Sequence, residues 1–539
     1  MTLSFSFLYF LIISYEFFYQ TRAQKLDEIV RNSKMGWLRE KSYGVLLFLG
    51  FDAILYVIYL VVSIWGTNYV LGTFNIEWTK MLVKAFFLYH FLLYFFAILL
   101  GLLISMISSR LKAFGTLAAV FALFSRILLP IIMQIVARSE KWTHILDIFG
   151  IMNRSYGAFC DLFYNYSTES VNLQRILFWI LFSISLLFLF RAREKKIWIT
   201  GVCFGLTLIT FALYIQPSGE RYISGNWGAY AADNQYYNLL FASKSGIGYG
   251  TADEYEGIGR SYKEASFKIL KYAGELSAKR ELNASIDVEV DRKDLCEYIF
   301  TLYHGYRLSQ VTDEKGNSIP FEQDVDHVRL NTQNCQPLEK IHFEYAGYSR
   351  EYVTTSQAVL LGGNFPYLPQ PGWLPYKGEP KNGALHTDEY NLKGLCYPVE
   401  YDITFPTEAT MYTNLTESEK AHFVGKSEGA TFISSKFMGE TKLPNATLYY
   451  PVLSAAYWDK NREKTKQDFA HAIEQFPALA ATKNLKIFEV SSMQMAVPMW
   501  YVAGDHLIAS QSDLEFTYPF YEKYGFTPNN LQMEEDTKQ

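Results

Sequence analysis

The chain has 539 residues, half of them hydrophobic and 17% aromatic, with only 19% charged. That balance is too apolar for a purely water-soluble chain, and a net charge of −5 leaves no general basic surface of the kind nucleic acid demands. The average conceals two halves of opposite character, divided at the uncharged stretch Ile197 to Gln216, which is the length a helix needs to cross a bilayer core of about 30 Å.

The first apolar stretch, Leu3 to Tyr19, lacks a basic flank on its N-terminal side and a small-residue cleavage site after it, so it reads as a span and not as a cleavable signal. Thr21 to Tyr43 follows with Arg22, Lys25, Arg31, Lys34, Arg39 and Lys41. Positive charge accumulates in cytoplasmic loops, which places this segment inside. Further spans are expected at Gly44 to Trp65, within Lys80 to Ser108, at Phe114 to Ala137, at Val171 to Phe190 and at Ile197 to Gln216. Arg110 and Lys112 mark a second inside turn, and Arg191 to Lys196 a third. Six alternating spans satisfy these clusters and carry the N-terminus and everything after Gln216 out of the cytoplasm. The aromatic segment from Arg138 to Ser170 is expected outside, lying in the interface or re-entering it.

Charges within the spans are few: Glu16, Asp52, His90 and Arg126. An ionisable residue at membrane depth marks a transport path or a structural pair, and Asp52 with Arg126 is one such pair. Glu16 and Asp52 are also near enough to the cytoplasmic face to be solvated there.

Thr21 to Ser42 has helical spacing, with Leu26, Ile29, Val30, Trp37 and Leu38 apolar among charges. One reading makes it a helix lying on anionic lipid; another makes it a docking helix for a cytosolic partner. A span, Tyr15-Glu16, Arg22-x-x-Lys25-Leu-Asp-Glu-Ile-Val-Arg-Asn-Ser33, then Gly36, Arg39, Lys41 and a new span resemble the first intracellular loop of ABC-type exporter permeases. The resemblance covers residues 1–216. It implies that Arg22, Lys25, Leu26, Asp27, Glu28, Ile29, Val30 and Arg31 couple to a separate cytosolic ATPase, since this chain has no phosphate-binding Gly-x-x-x-x-Gly-Lys-Ser/Thr. Such permeases usually carry an earlier span, so a second membrane subunit is expected as partner.

Residues 217–264 are rich in Tyr, Gly and Ser and read as a stalk. Ala265 to Leu276 is ambiguous between helix and strand. Beyond it, Ala284 to Val290, Tyr298 to Tyr303, Gly305 to Val311, Val328 to Leu330 and Lys340 to Tyr345 alternate in period two, with a turn at Asp313 to Gly316. This predicts a β-sandwich or saddle over 265–453 and a small α/β part over 454–539. The five cysteines form no C-x-x-C pair; one disulfide among Cys296, Cys335 and Cys396 and free thiols are equally compatible with their spacing.

The ordered series Phe300-Thr-Leu-Tyr-His-Gly-Tyr306, Val311-Thr-Asp-Glu-Lys-Gly316, Ile341-His-Phe-Glu-Tyr-Ala-Gly-Tyr348, Gly372-Trp-Leu-Pro375 and Tyr401-Asp-Ile-Thr-Phe-Pro406 resembles the N-terminal β domain of aminopeptidase-N-like zinc peptidases. Where that family has Gly-Ala-Met-Glu-Asn, this chain has Met493-Gln-Met-Ala-Val-Pro-Met-Trp500. None of its nine histidines belongs to an H-E-x-x-H motif, so no catalytic, metal or cofactor residue is assigned. Asp505-His506 and Glu515 stand isolated, and no Gly-x-Ser-x-Gly occurs. The expected protein is an ABC exporter permease subunit with an inactive peptidase-like outer domain that binds peptide or another subunit. Its rivals are a membrane-anchored peptidase with zinc on another chain, and a membrane sensor or scaffold.

Overall fold

A computed structural model describes residues 2–24, 36–71, 76–107, 109–125, 145, 147–151, 170–190 and 197–216, then 265–278, 281–293, 295–302, 306–324, 327–332, 335–347, 360–362, 365–368, 373–378, 392–393, 397–407, 409–475, 484–490, 501–503 and 505–510. The chain divides into two compact units, one holding the apolar helices and the other the strands.

The helical unit contains α1 (Thr2–Ala23), α2 (Gly36–Leu71), α3 (Ile76–Phe86), α4 (Leu93–Ser105), α5 (Arg110–Phe124), α6 (Ser170–Phe190) and α7 (Ile197–Ile215). A π-helical turn, Phe87–Leu92, joins α3 to α4. Among the described residues four stretches are long and apolar enough to cross a membrane: Arg39–Thr67, Trp78–Ser105, Asn172–Leu189 and Trp198–Ile215. The two other expected spans coincide with α1, whose Ser4, Ser6, Ser14, Glu16 and Gln20 lower its hydropathy, and with α5, described over 15 residues. The second helix is 36 residues long against the 22 expected, about 54 Å at 1.5 Å per residue, so it outruns a bilayer core.

The centre of this unit is the crossing of α1 and α4. Phe10 stacks on Tyr94 at 4.7 Å, Phe7 meets Phe96 at 6.0 Å, and Gly101 lets the two backbones approach closely. Phe96, Phe124, Phe149 and Trp179 continue this aromatic core toward α5 and α6.

In the other unit, a seven-stranded sheet has the order β14 (Thr416–Glu419), β15 (His422–Ser427), β12 (Val399–Thr404), β1 (Ile269–Ala278), β2 (Leu282–Lys293), β7 (Leu338–Gly347), β4 (Tyr306–Asp313). All its pairs are antiparallel except β1 with β12. The ambiguity over Ala265 to Leu276 resolves to strand from Ile269 onward, where β1 is paired on both edges. Gly274 of β1 has φ +151°, and a β-carbon there would stand 2.1 Å from the Ser285 carbonyl oxygen. The expected turn forms around Asp313, whose Oδ1 accepts from the backbone N–H of Lys315 (2.9 Å) and Asn317 (2.8 Å).

Alternating residues Ile286, Val288 and Val290, with Ile341, Phe343 and Tyr345, are buried. Facing them is a four-stranded sheet, β10 (Tyr376–Lys377), β3 (Glu297–Thr301), β6 (His327–Asn331), β5 (Phe321–Asp324), with Phe300 edge-on to Phe343 at 5.1 Å. A second four-stranded sheet runs β13 (Met411–Thr413), β16 (Phe432–Ser434), β9 (Phe365–Leu368), β8 (Leu360–Gly362). Cys296 and Cys335, thirty-nine positions apart, are disulfide-bonded, which settles the alternative left open for these two; Cys396 lies outside the described residues.

A mixed sheet has the order β11 (Leu392–Lys393), β20 (Tyr501–Ala503), β21 (His506–Ser510), β19 (Leu485–Val490), β18 (Ala446–Pro451), β17 (Met438–Leu443). The parallel pair β18 and β19 requires a crossover, supplied by α8 (Ala455–Gln475). Trp458, Thr465 and Phe469 form its buried stripe, and Arg462–Asp459 and Lys466–Glu463 pairs stand on its solvent side. The division expected at 453 thus passes through this sheet: β18 and β11 lie before it and pair with β19 and β20 after it.

Candidate functional site

In the helical unit, polar contacts gather at one end of the bundle. Arg22 Nη1 donates to the Ser105 carbonyl at 3.0 Å, satisfying the last turn of α4. Lys41 Nζ donates to Thr21 Oγ1 at 2.9 Å and to Glu40 Oε1 at 3.1 Å. Arg110 Nη2 donates to Glu16 Oε1 at 3.0 Å while its guanidinium lies over Tyr19 and Phe114. The end of α1, the start of α2, the end of α4 and the start of α5 therefore meet, so the two basic connections that the charge pattern assigns to one side share one end of the bundle. Of the proposed coupling residues only Arg22 is among the described residues; Lys25, Leu26, Asp27, Glu28, Ile29, Val30 and Arg31 lie outside them.

The charges within the spans differ in environment. Glu16 is paired with Arg110 and partly exposed. His90 sits in the π turn, stacked on Phe86 at 4.6 Å, with Nδ1 3.2 Å from the Tyr94 hydroxyl. Asp52 is 0% exposed, and neither carboxylate oxygen has a hydrogen-bond partner. Arg126, its suggested mate, lies outside the described residues. Arg175, in the first turns of α6, is buried: Nη1 donates to the Gly150 carbonyl at 3.0 Å, and the guanidinium lies 5.8 Å from the Tyr214 ring. Trp179 Nε1 donates to the Ile148 carbonyl at 2.8 Å, so α6 holds residues 148–150 by two side-chain donors.

In the β unit the isolated Asp505-His506 pair becomes the centre of a network. His506 Nδ1 donates to Asp505 Oδ1 at 2.8 Å, and Nε2 is 2.9 Å from Thr431 Oγ1. Ser427 Oγ is 2.8 Å and Asn414 Nδ2 3.1 Å from the same carboxylate. Burial pushes the Asp505 carboxyl up, but the bonds and charge of His506, with those of Asn414 and Ser427, hold it below its ordinary range. The sequence signal for this network was only the Asp-His dipeptide, because Asn414 lies 91 positions from Asp505. Thr431–His506–Asp505 has the connectivity of a hydroxyl–imidazole–carboxylate triad. With Thr431 and His506 both 0% exposed, no substrate carbonyl reaches the hydroxyl, so the network acts as a pin across strands.

On the surface, His422 Nε2 donates to Asp402 Oδ1 at 2.7 Å and Lys271 Nζ to Oδ2 at 2.9 Å, across β15, β12 and β1. These bonds hold the Asp402 carboxyl below its ordinary range. Ser418 Oγ is 3.0 Å from His422 Nδ1, but all of β14 is exposed and no wall excludes water from the hydroxyl. His342 pairs with Asp287 in the same manner, His471 with Glu474, and His327 is buried in β6. Among the described residues no group of three His, Cys, Asp or Glu side chains could hold a metal ion. Met493 to Trp500 and Glu515 lie outside them. A groove of about 440 Å³ with polar walls lies on the seven-stranded sheet, bordered by Glu275, Asn283, Ser285, Ser309 and Glu344.

No protein-family model matches the chain, and no curated protein matches it. Among solved structures it is similar to a mutant M1 zinc metallopeptidase from Deinococcus radiodurans, at 11% identity and TM-score 0.34, over 49% of this chain and 65% of that one. It is also similar to yeast leukotriene A4 hydrolase in complex with bestatin, at 10% identity and TM-score 0.32, over 49% of this chain and 44% of that one. The chain thus spans less than two thirds of the length of either.

Proposed function

We propose that this chain is the membrane-spanning permease subunit of an ABC-type exporter. ATP is hydrolysed by a separate cytosolic subunit docked on residues 21–43, and a second membrane subunit completes the pathway. The six helices α1, α2, α3–α4, α5, α6 and α7 cross the bilayer, and the β unit stands outside as a catalytically inactive peptidase-like domain that binds peptide or a further subunit. The observation that carries the topology is the meeting of Glu16 with Arg110 and of Arg22 with Ser105, which agrees with one cytoplasmic face for both basic connections. The Cys296–Cys335 disulfide accords with an oxidising compartment for the β unit. Inactivity rests on the lack of H-E-x-x-H in the sequence, and the groove bordered by Glu275 and Glu344 offers acceptors to a peptide's N–H groups.

The test is copurification in mild detergent. An ATPase is expected with the full chain. Ile29→Asp puts a charge into a packed contact and abolishes its recovery, whereas Lys25→Ala, at the rim, costs about 1 kcal/mol or less and leaves it. A helix lying on lipid would instead respond as strongly to joint loss of Lys25, Arg31 and Lys34, each contributing about 1 kcal/mol near anionic headgroups. An ATPase that stays bound to Ile29→Asp sinks the docking role. A zinc-bearing chain recovered in place of an ATPase favours the split-peptidase reading.

A further inference from the structure

Resting on the placement of α2 in the membrane, we propose that Asp52 is a proton-binding site of the helical unit. Its carboxyl group is fully enclosed, and neither oxygen has a hydrogen-bond partner. One turn away on either side, Phe48 and Tyr56 face the same way and seal the seam. Phe48 meets Phe17 at 5.4 Å and Phe18 at 6.2 Å; Tyr56 meets the Phe91 ring at 6.1 Å and donates to the Val83 carbonyl at 3.2 Å. Beside Asp52, Phe51 touches Phe10 at 6.1 Å, and Phe10 in turn stacks on Tyr94. Asp52 therefore lies where α2 closes on α1 and on the π turn with α4.

A charge in such a place must be neutralised. Basic groups at this bundle's polar end are committed elsewhere. Lys41, eleven positions along α2 and so about 16 Å away, binds Thr21 and Glu40; Arg22 binds the Ser105 carbonyl; Arg110 binds Glu16. The titratable groups on the packed elements are Tyr9, Tyr15, Glu16, Tyr19 and Arg22 of α1, the neighbouring Tyr56 and Tyr59 of α2, Glu77, Lys80 and Lys84 of α3, and Tyr89, His90 and Tyr94 of the π turn and α4; Glu16 is taken by Arg110, His90 Nδ1 lies at the Tyr94 hydroxyl, Lys84 is exposed, and none of these groups bonds to either Asp52 oxygen. A metal cation needs six or more oxygen ligands if hard, or several His, Cys or carboxylate ligands if soft, and among the described residues no such group exists. A proton needs one oxygen, and a water molecule supplies it. At this seam α2 meets the α1–α4 crossing and the π turn, a local departure from helical bonding of the sort found at functional sites. Loss of the proton leaves a charge that draws water between α2 and that crossing, so occupancy by the proton governs how α2 packs.

The test uses the full chain in phosphatidylcholine–phosphatidylglycerol vesicles. Dicyclohexylcarbodiimide, which reacts with protonated carboxyl groups shielded from water, is applied over a pH series, and adducts are located by mass spectrometry. The expected result is an adduct on Asp52 whose yield falls at least tenfold as pH rises. It is absent from Asp52→Asn and retained in Asp52→Glu. A water-soluble carbodiimide with glycine ethyl ester is run in parallel and is expected to modify the exposed Glu314 but not Asp52. Modification of Asp52 by the soluble reagent means that it faces water, and overturns the membrane placement of α2. Failure of the lipophilic reagent at every pH, with Asp52 also shielded from the soluble one, leaves the span standing and overturns the proton site.

Discussion

Gly101 of α4 lies against Ser14 of α1 so closely that a β-carbon on Gly101 would stand 2.0 Å from the Ser14 Oγ. The Tyr15 nitrogen and the Leu11 carbonyl oxygen lie within 2.8 and 2.9 Å of the same point, so the obstacle is backbone and no rotamer change removes it. Gly101→Ala is expected to force the two helices apart at a cost of about 1–3 kcal/mol. Gly101→Leu is expected to abolish the packed bundle. Thermal unfolding of the detergent-solubilised chain, read by tryptophan fluorescence, checks both, and Ser14→Ala should rescue neither.

The disulfide makes a second prediction. Cys296→Ser or Cys335→Ser opens a loop of 39 positions and is expected to cost about 2–4 kcal/mol of β-unit stability. The two single variants and the double variant should lose the same amount, because one bond is lost in each. A gel-mobility shift on reduction, present in the wild type and missing from all three, verifies the pairing, and a larger loss in the double variant would contradict it.

Glu489 carries a pH dependence whose sign is fixed by its burial. Desolvation pushes its carboxyl from 4.5 up to about 7, against hydrogen bonds from Ser454 and Trp458 that pull it down. The folded state therefore holds a proton that the unfolded state releases between 4.5 and about 7, and stability falls as pH rises through that interval. At 1.36 kcal/mol per pH unit the fall is about 3 kcal/mol. Glu489→Gln should flatten it. Asp402 and Asp505, both held low, act in the opposite sense and at more acid pH, where stability is lost as they are protonated. Unfolding of the full chain followed by circular dichroism of its strands across the interval distinguishes them.

Sidedness is open to a direct check. Lys112→Cys, at the exposed start of α5, should resist an impermeant thiol reagent in intact cells and react after permeabilisation. Lys315→Cys, exposed in the turn closed by Asp313, should react in intact cells. Labelling of the first in intact cells would reverse the assignment of the basic turns and the docking proposal with it.

Where a residue's neighbours in sequence decide its environment, the chain was readable. Val288 and Ile286 alternate with Asp287 and Glu289 because one face of β2 meets the core and the other meets water. The apolar runs at 171–190 and 197–216 coincide with α6 and α7 for a similar reason. Where distant residues decide, it was not. Ala265 to Leu276 has no clean period, and its fate as β1 depends on β12 more than a hundred positions on. The disulfide partner of Cys296 could not be chosen among odd cysteines. The Asn414–Ser427–Asp505–His506 pin joins segments that no short window contains, and the unsatisfied state of Asp52 is visible only once the helices around it are placed. Nothing in Phe87–Leu92 announces a π turn, since its residues fit an α-helix equally well.

The parallel pairing of β1 with β12 imposes an order of events on synthesis. One edge of β1 is covered by β2 almost at once, across a short reversal after Ala278. Its other edge waits for Val399, 121 positions later (399 − 278). At 5–20 residues per second, that is about 6–24 s during which a ten-residue strand offers unpaired N–H and C=O groups to any passing chain. Lys271 and Glu275 put charge on a strand whose waiting edge would otherwise be a template for another chain.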